Sequence, residues 1–157
     1  MQPIALSQLE LAVSESELDP SQRVAFAFPV SSASGAAATS AVYFELVPGA
    51  HLGVHTDSAE EILLVLEGTA EALVGDERGV VSAGSLVHVP ALVPHDLANV
   101  GSGRVRVLGA FASAAVVSVF EQPEQPGGDR VFVVGSPGAL SAPLPQEAGT
   151  SAARGTR

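Results

Sequence analysis

The stretch GAHLGVHTDSAEEILLVLEG, residues 49–68, places an imidazole and two carboxylates at short intervals along sequence that reads as two strands joined by a polar turn. Side chains alternate along a strand, so His55 and Asp57 share one face, and Glu61 opens the next strand after the turn. A second stretch, GSLVHVPALVPHDLAN at 84–99, carries His95. Every histidine of the chain falls between His51 and His95. Four candidate metal ligands, His55, Asp57, Glu61 and His95, therefore crowd into strand-like sequence. Imidazole with carboxylate suits a divalent ion such as Fe(II), Mn(II), Ni(II) or Zn(II), and no thiolate competes because the chain has no cysteine.

Together the two stretches resemble the paired motifs of the cupin superfamily. In the first motif Gly49, His55, Glu61 and Gly68 stand in register, and in the second Gly84, Pro90, His95 and Asn99 do. The resemblance implies an all-β fold, a double-stranded β-helix or jelly-roll barrel, with a metal held inside it. It implies ligand roles for His55, Glu61 and His95, with Asp57 in the fourth ligand's position, and scaffold roles for Asn99, Pro90 and the motif glycines. The superfamily includes dioxygenases, isomerases, epimerases, decarboxylases, lyases, storage proteins and ligand-sensing modules, so the fold does not choose a reaction.

Two positions depart from the family pattern. Leu92 replaces a motif glycine, and a turn conformation with negative φ is expected to accommodate it. Asp57 replaces the second histidine, which would make an inner shell of two imidazoles and two carboxylates, formally neutral around a divalent ion. That shell favours Fe(II) or Mn(II) over Cu or Zn and acidifies a bound water less. Asp57 also fits a capping role, since the spacing from Asp57 to Glu60 is that of a capping box. Both roles stay open. His51 shares parity with His55 and offers a substitute ligand, although its place beside Pro48 and Gly49 points to the rim. His88, on a strand of its own, is unassigned.

The chain's 157 residues suffice for one domain and are few for two. A net charge of -10 argues against nucleic acid or an anionic membrane as partner. All seven basic residues are arginine, which excludes Schiff-base chemistry and a phosphate-loop lysine. The N-terminus lacks a signal peptide's basic region and apolar core, so a soluble, cytoplasmic protein is the expectation.

Residues 1–20 read as an N-terminal arm, either a brief helix or a strand crossing to a partner. The barrel is expected over 21–120, with strands at 24–28, 41–47, 50–56, 61–67, 69–74, 79–82, 85–89, 95–99, 104–112 and 115–119 and little helix. Residues 121–157 form a C-terminal extension with one short strand-like run at 131–134, disordered beyond 136. Residues 62–66 are apolar on both faces, so the opposite sheet's edge, the N-terminal arm or a second subunit must cover the outer one, and a homodimer is the economical answer. By parity Leu63, Val65, Val93 and Leu97 surround the site and suit a modest hydrophobic ligand. The leading functional reading is a metal-dependent enzyme, an oxygenase, lyase or isomerase acting on a small organic molecule. A non-catalytic binding or sensing module is the alternative. A 2-oxoglutarate-type oxygenase would also need a basic residue inside the barrel. Arg104 and Arg106 are the nearby candidates, yet Val105, Val107 and Phe111 take the alternate, apolar face and turn them toward solvent.

Overall fold

The computed structural model describes residues 3–135, which form two six-stranded antiparallel sheets. In chain order the strands are β1 (Ala12–Glu15), β2 (Arg23–Val30), β3 (Ser40–Leu46), β4 (His55–Asp57), β5 (Glu61–Glu67) and β6 (Thr69–Val74). They continue with β7 (Glu77–Ser82), β8 (Leu86–Val89), β9 (His95–Asn99), β10 (Val105–Phe111), β11 (Val116–Glu124) and β12 (Asp129–Val134). One sheet runs β1-β2-β3-β10-β5-β8 and the other β12-β11-β4-β9-β6-β7. Successive strands thus often sit in opposite sheets, as a jelly roll requires. Helix is confined to single 3-10 turns at Leu6–Gln8 and Ser32–Ser34. No helix among the described residues is long and apolar enough to cross a membrane. The tail expected to be disordered, 136–157, lies outside the described residues.

Alternation builds the core. In β10 Val105, Val107 and Phe111 point inward, as do Leu63 and Val65 of β5, while Phe44 and Leu46 face them from β3. The expected barrel segments match closely, with three differences. Residues 50–54 are not a strand, because Gly53 adopts φ +100 and breaks the run, leaving only β4 after it. A Cβ at Gly53 would meet the Gln22 side chain at 2.5 Å, so the loop is closely packed there. The last long strand continues to Glu124 and pairs with β12, extending the sheet past residue 120. The N-terminal strand β1 pairs with β2 of its own chain.

Outer faces carry the charge. Arg104 reaches Glu45 at 2.6 Å, and Arg106 reaches Glu45 at 3.2 Å and Glu67 at 3.0 Å. Tyr43 donates a 2.7 Å hydrogen bond to Glu45 on this same face, and burial together with that bond pushes the phenol up to about 12. Leu6, Leu9 and Leu11 of the N-terminal arm share a groove with these groups and with Leu66. The arm therefore borders the outer face of β5 at Leu66, which stays partly open, as do Ile62 of β5 and Leu86 of β8.

Leu92 does not have the negative φ expected of it: its φ is +64. The turn between β8 and β9 holds it there by a hydrogen bond from the Leu92 N–H to the Asp57 carbonyl at 2.8 Å. The family's glycine position is thus kept as a left-handed position although its residue has changed. A left-handed leucine costs about 1–2 kcal/mol, and glycine at the same place regains part of that against its greater freedom when unfolded. Leu92→Gly is expected to raise stability by up to about 1 kcal/mol in urea denaturation. A loss of stability would show that the turn is not under this constraint.

Candidate metal centre

Strand pairing assembles the site. His55 of β4 lies directly opposite His95 of β9, and β11 flanks β4 on its other side, with Ser118 opposite Asp57 and Phe120 opposite His55. Two imidazoles from hairpins far apart in sequence thus become neighbours, their ring centroids 4.1 Å apart. One ligand atom from each of His55, Asp57 and His95 lies within 4.8 Å of the others, and all three residues are buried. Asp57 Oδ2 is 3.6 Å from His55 Nε2 and 3.3 Å from His95 Nε2. Glu61 stands beside this trio, its Oε2 3.8 Å from His95 Nε2.

Each imidazole is oriented from behind. His55 Nδ1 bonds the Gly53 carbonyl at 2.7 Å and His95 Nδ1 bonds the Val93 carbonyl at 3.0 Å. A carbonyl only accepts, so Nδ1 carries the proton in both rings and Nε2 presents a lone pair to the centre. Phe120 stacks on His55 at 4.5 Å with planes 12° apart and fixes the remaining freedom of that ring. Ser118 donates its hydroxyl to Asp57 Oδ1 and turns Oδ2 toward the histidines.

The Asp57 carboxylate is turned toward this cluster and away from the turn. Among the described residues its carboxylate accepts from no backbone amide; Ser58 does the turn's work instead, its hydroxyl accepting from the Val117 N–H at 2.9 Å. Asp57 therefore faces the centre and caps nothing. His51 lies elsewhere, with Nδ1 2.8 Å from Asp96 and Nε2 3.1 Å from Asp19, pinning the loop before β4 to the barrel. His88 is exposed beside Glu60.

The electrostatics are those of a site lacking countercharge. Burial, reinforced by the neighbouring His95, holds His55 down at about 4 and keeps it neutral. Burial and the charge on Asp57 push Glu61 well above the usual carboxylate range. Burial acts on Asp57 in the same upward sense, and the Ser118 hydroxyl, which donates to its carboxylate, opposes it. Asp57 Oδ2 and His95 Nε2 are both buried without a hydrogen-bond partner, despite lying 3.3 Å apart. Two orphaned acceptors facing each other in an apolar interior are costly, and a cation between them removes the cost. The donor set fits a divalent ion on that ground, and on the neutrality of His55; Glu61 would release its proton on joining the set.

Two contributors were not singled out in the sequence. Ser118 and Phe120 lie outside both motifs, and only the β11–β4 pairing brings them in. Gly109 of β10 reads as an ordinary strand residue, yet a Cβ there would collide with Glu61 Oε1 and come within 2.7 Å of Val42. The apolar lining also differs from expectation. Leu63, Val65 and Leu97 are buried in the core, and neither they nor Val93 line the cavity. The cavity opens instead between β2, β3, β10, β11 and β12, whose inward positions carry every phenylalanine of the chain: Phe26, Phe28, Phe44, Phe111, Phe120 and Phe132. Its volume is about 80 Å³, a narrow slot that reaches His55, Asp57, Glu61 and Ser118. Among the described residues no arginine lines it, because Arg104 and Arg106 are held on the outer face by Glu45 and Glu67.

A family model described as a cupin domain matches residues 42–111. Residues 42–111 are thus similar in sequence to a cupin domain, and the fold around them is that of cupin structures. The oxalate decarboxylase formate complex of Lactobacillus farciminis is 20% identical, with a TM-score of 0.62 over 74% of this chain and 34% of that one. The polyketide cyclase RemF from Streptomyces resistomycificus is 17% identical, with a TM-score of 0.58 over 71% of this chain and 78% of that one. The Schizosaccharomyces pombe Cnp3 cupin domain is 18% identical, with a TM-score of 0.58 over 71% and 73%. The match spans 46% of a recombinant oxalate oxidase chain and about a third of the decarboxylase. At these identities the likeness is one of fold. No curated protein matches in sequence.

Two outcomes follow from this geometry. Gly109→Ala should displace Glu61 and destabilise the barrel by about 1–3 kcal/mol, as overpacking does, read by urea denaturation; wild-type stability would mean that the space is not needed. For His51, burial lowers its pKa, but Asp96 and Asp19 outweigh this and raise it above its ordinary value of 6.5. A protonated His51 therefore stabilises the fold fully below about pH 6.5, and that contribution is lost as pH rises through the higher folded value. Stability measured across this range should fall for the wild type and run flatter for His51→Gln; parallel curves would remove His51 from the account.

Proposed function

We propose that this protein is a divalent-metal cupin whose ion is held by His55, Asp57, Glu61 and His95, and that it acts on a small apolar organic molecule as an oxygenase, lyase or isomerase. The observation that carries the reading is the pair of buried, unpartnered acceptors, Asp57 Oδ2 and His95 Nε2, aimed at one point. Fe(II) or Mn(II) suits two imidazoles and two carboxylates. When bound, such an ion supplies Lewis acidity and open positions for ligand oxygens.

The chain's own residues do the rest. The Gly53 and Val93 carbonyls hold each imidazole in the tautomer that leaves Nε2 free. Ser118 keeps Asp57 Oδ2 on the same point, and Gly109 leaves room for the Glu61 carboxyl. The phenylalanine cage excludes water, which strengthens every polar interaction inside it. It also favours an apolar body over a small dicarboxylate, since no arginine of the described residues is present to receive a carboxylate. The same lack counts against a 2-oxoglutarate-type reaction.

Elemental analysis of protein purified without an affinity tag tests the reading. The wild type, loaded with Fe(II) or Mn(II), should retain about one equivalent, whereas Asp57→Ala should lose at least tenfold in affinity, roughly the lower end of what supporting groups at metal sites contribute. Full occupancy in the variant would remove Asp57 from the ligand set. A wild type that takes up no ion would overturn the metal reading. Ligand-induced thermal stabilisation without turnover would favour a binding module over an enzyme.

A further inference from the structure

The cavity has a second polar end that the metal centre does not use. Glu124, at the far end of β11, is 1% exposed and lines the same slot as the phenylalanines. Both of its carboxylate oxygens accept a hydrogen bond, one from the Ser14 hydroxyl and one from the Gln22 side-chain amide. Ser14 and Gln22 are buried as well. Both donors are neutral, and no ion pair forms at this carboxylate among the described residues. Each oxygen retains a lone pair. An acceptor-only group buried among aromatic rings calls for a cation to complete it, and the chain has no lysine that could serve.

The placement has a consequence for the ligand. Ser118, which holds Asp57, and Glu124 are six residues apart on one strand, at most about 20 Å along an extended chain. Phe120 lies between them on the strand, and Phe132, the cross-strand partner of Ser118, stands edge to face with it at 5.5 Å; both rings line the slot. Ring faces attract a cation, and a carboxylate behind them adds direct pairing. The slot therefore combines an oxygen-seeking end, an apolar middle and an amine-seeking end.

We propose that the ligand is a slender apolar molecule with a basic amine at one end, received by Glu124, and a metal-binding oxygen at the other. This rests on the reading of the cavity as the ligand site, and it adds Glu124 as the residue that sets specificity. A purely structural Glu124 would only tie β1 and the loop before β2 to β11. The two roles separate by charge. Glu124→Gln keeps a carbonyl acceptor for Gln22 and a group that Ser14 can bond by turning its hydroxyl, so the tie survives and the charge is lost. Ser14→Ala weakens the tie and leaves the charge.

The test is isothermal titration of the full chain, with Mn(II) and metal-free, using octanohydroxamic acid and its ω-amino derivative. The hydroxamate meets a metal and the amine probes the far end. The wild type should bind the amino probe at least about tenfold tighter than the parent, the scale of a hydrogen bond to a charged group. Glu124→Gln should abolish that preference and Ser14→Ala should keep it. No preference in the wild type, including no binding of either probe, overturns the proposal. So does a preference that survives Glu124→Gln, and so does its equal loss in both variants, which marks Glu124 as a strand tie. An amine preference accompanied by affinities of both probes that Mn(II) leaves unchanged supports Glu124 while counting against the metal centre.

Discussion

The direct pairing of β4 with β9 sets His55 opposite His95, and most of the site's properties follow from that single contact. Once the two imidazoles are neighbours in an apolar interior, burial holds His55 neutral, and both Nδ1 atoms bond backbone carbonyls two residues upstream. The free Nε2 atoms then converge with Asp57. Such an arrangement is expensive without a cation, so the fold carries at its centre a cost that binding would relieve. Stability and function meet at this point.

The surroundings divide into two kinds of support. Backbone carbonyls and the Ser118 hydroxyl aim the donors, and Gly109 leaves space for Glu61. The phenylalanines do something different. They come from five strands of both sheets and line a slot whose polar groups, among the described residues, are the candidate ligands with Ser118 and, toward the far end of β11, Ser14 with Glu124. Arg23, Arg78, Arg104 and Arg106 are paired with acidic groups on outer faces, and among the described residues no arginine lines the cavity.

Much of this was legible in residues 49–68 and 84–99. Spacing alone put His55 and Asp57 on one strand face and set Glu61 at the next strand's start, and His95 followed from the second motif's register. Asp57 was ambiguous, because a capping box and a ligand position share the same spacing; burial against Ser118 separates them. Leu92 was misjudged because leucine rarely takes positive φ, and only the hydrogen bond to the Asp57 carbonyl shows that this turn demands it. Parity named Leu63, Val65, Val93 and Leu97 as cavity walls. It marks which face is inward, but the hollow lies elsewhere along the barrel.

The sequence by itself determined the β architecture, the positions of four candidate ligands and the absence of thiol and lysine chemistry, because alternation, spacing and composition are local properties. Tertiary structure alone decided which strands lie side by side. That brought Ser118 and Phe120 to the metal centre, gathered six phenylalanines around one slot, moved His51 to an outer ion pair and buried Glu124 at the slot's other end. The physical reason is that contacts between strands distant in sequence are set by the packing of whole sheets, and no short stretch of the chain encodes them.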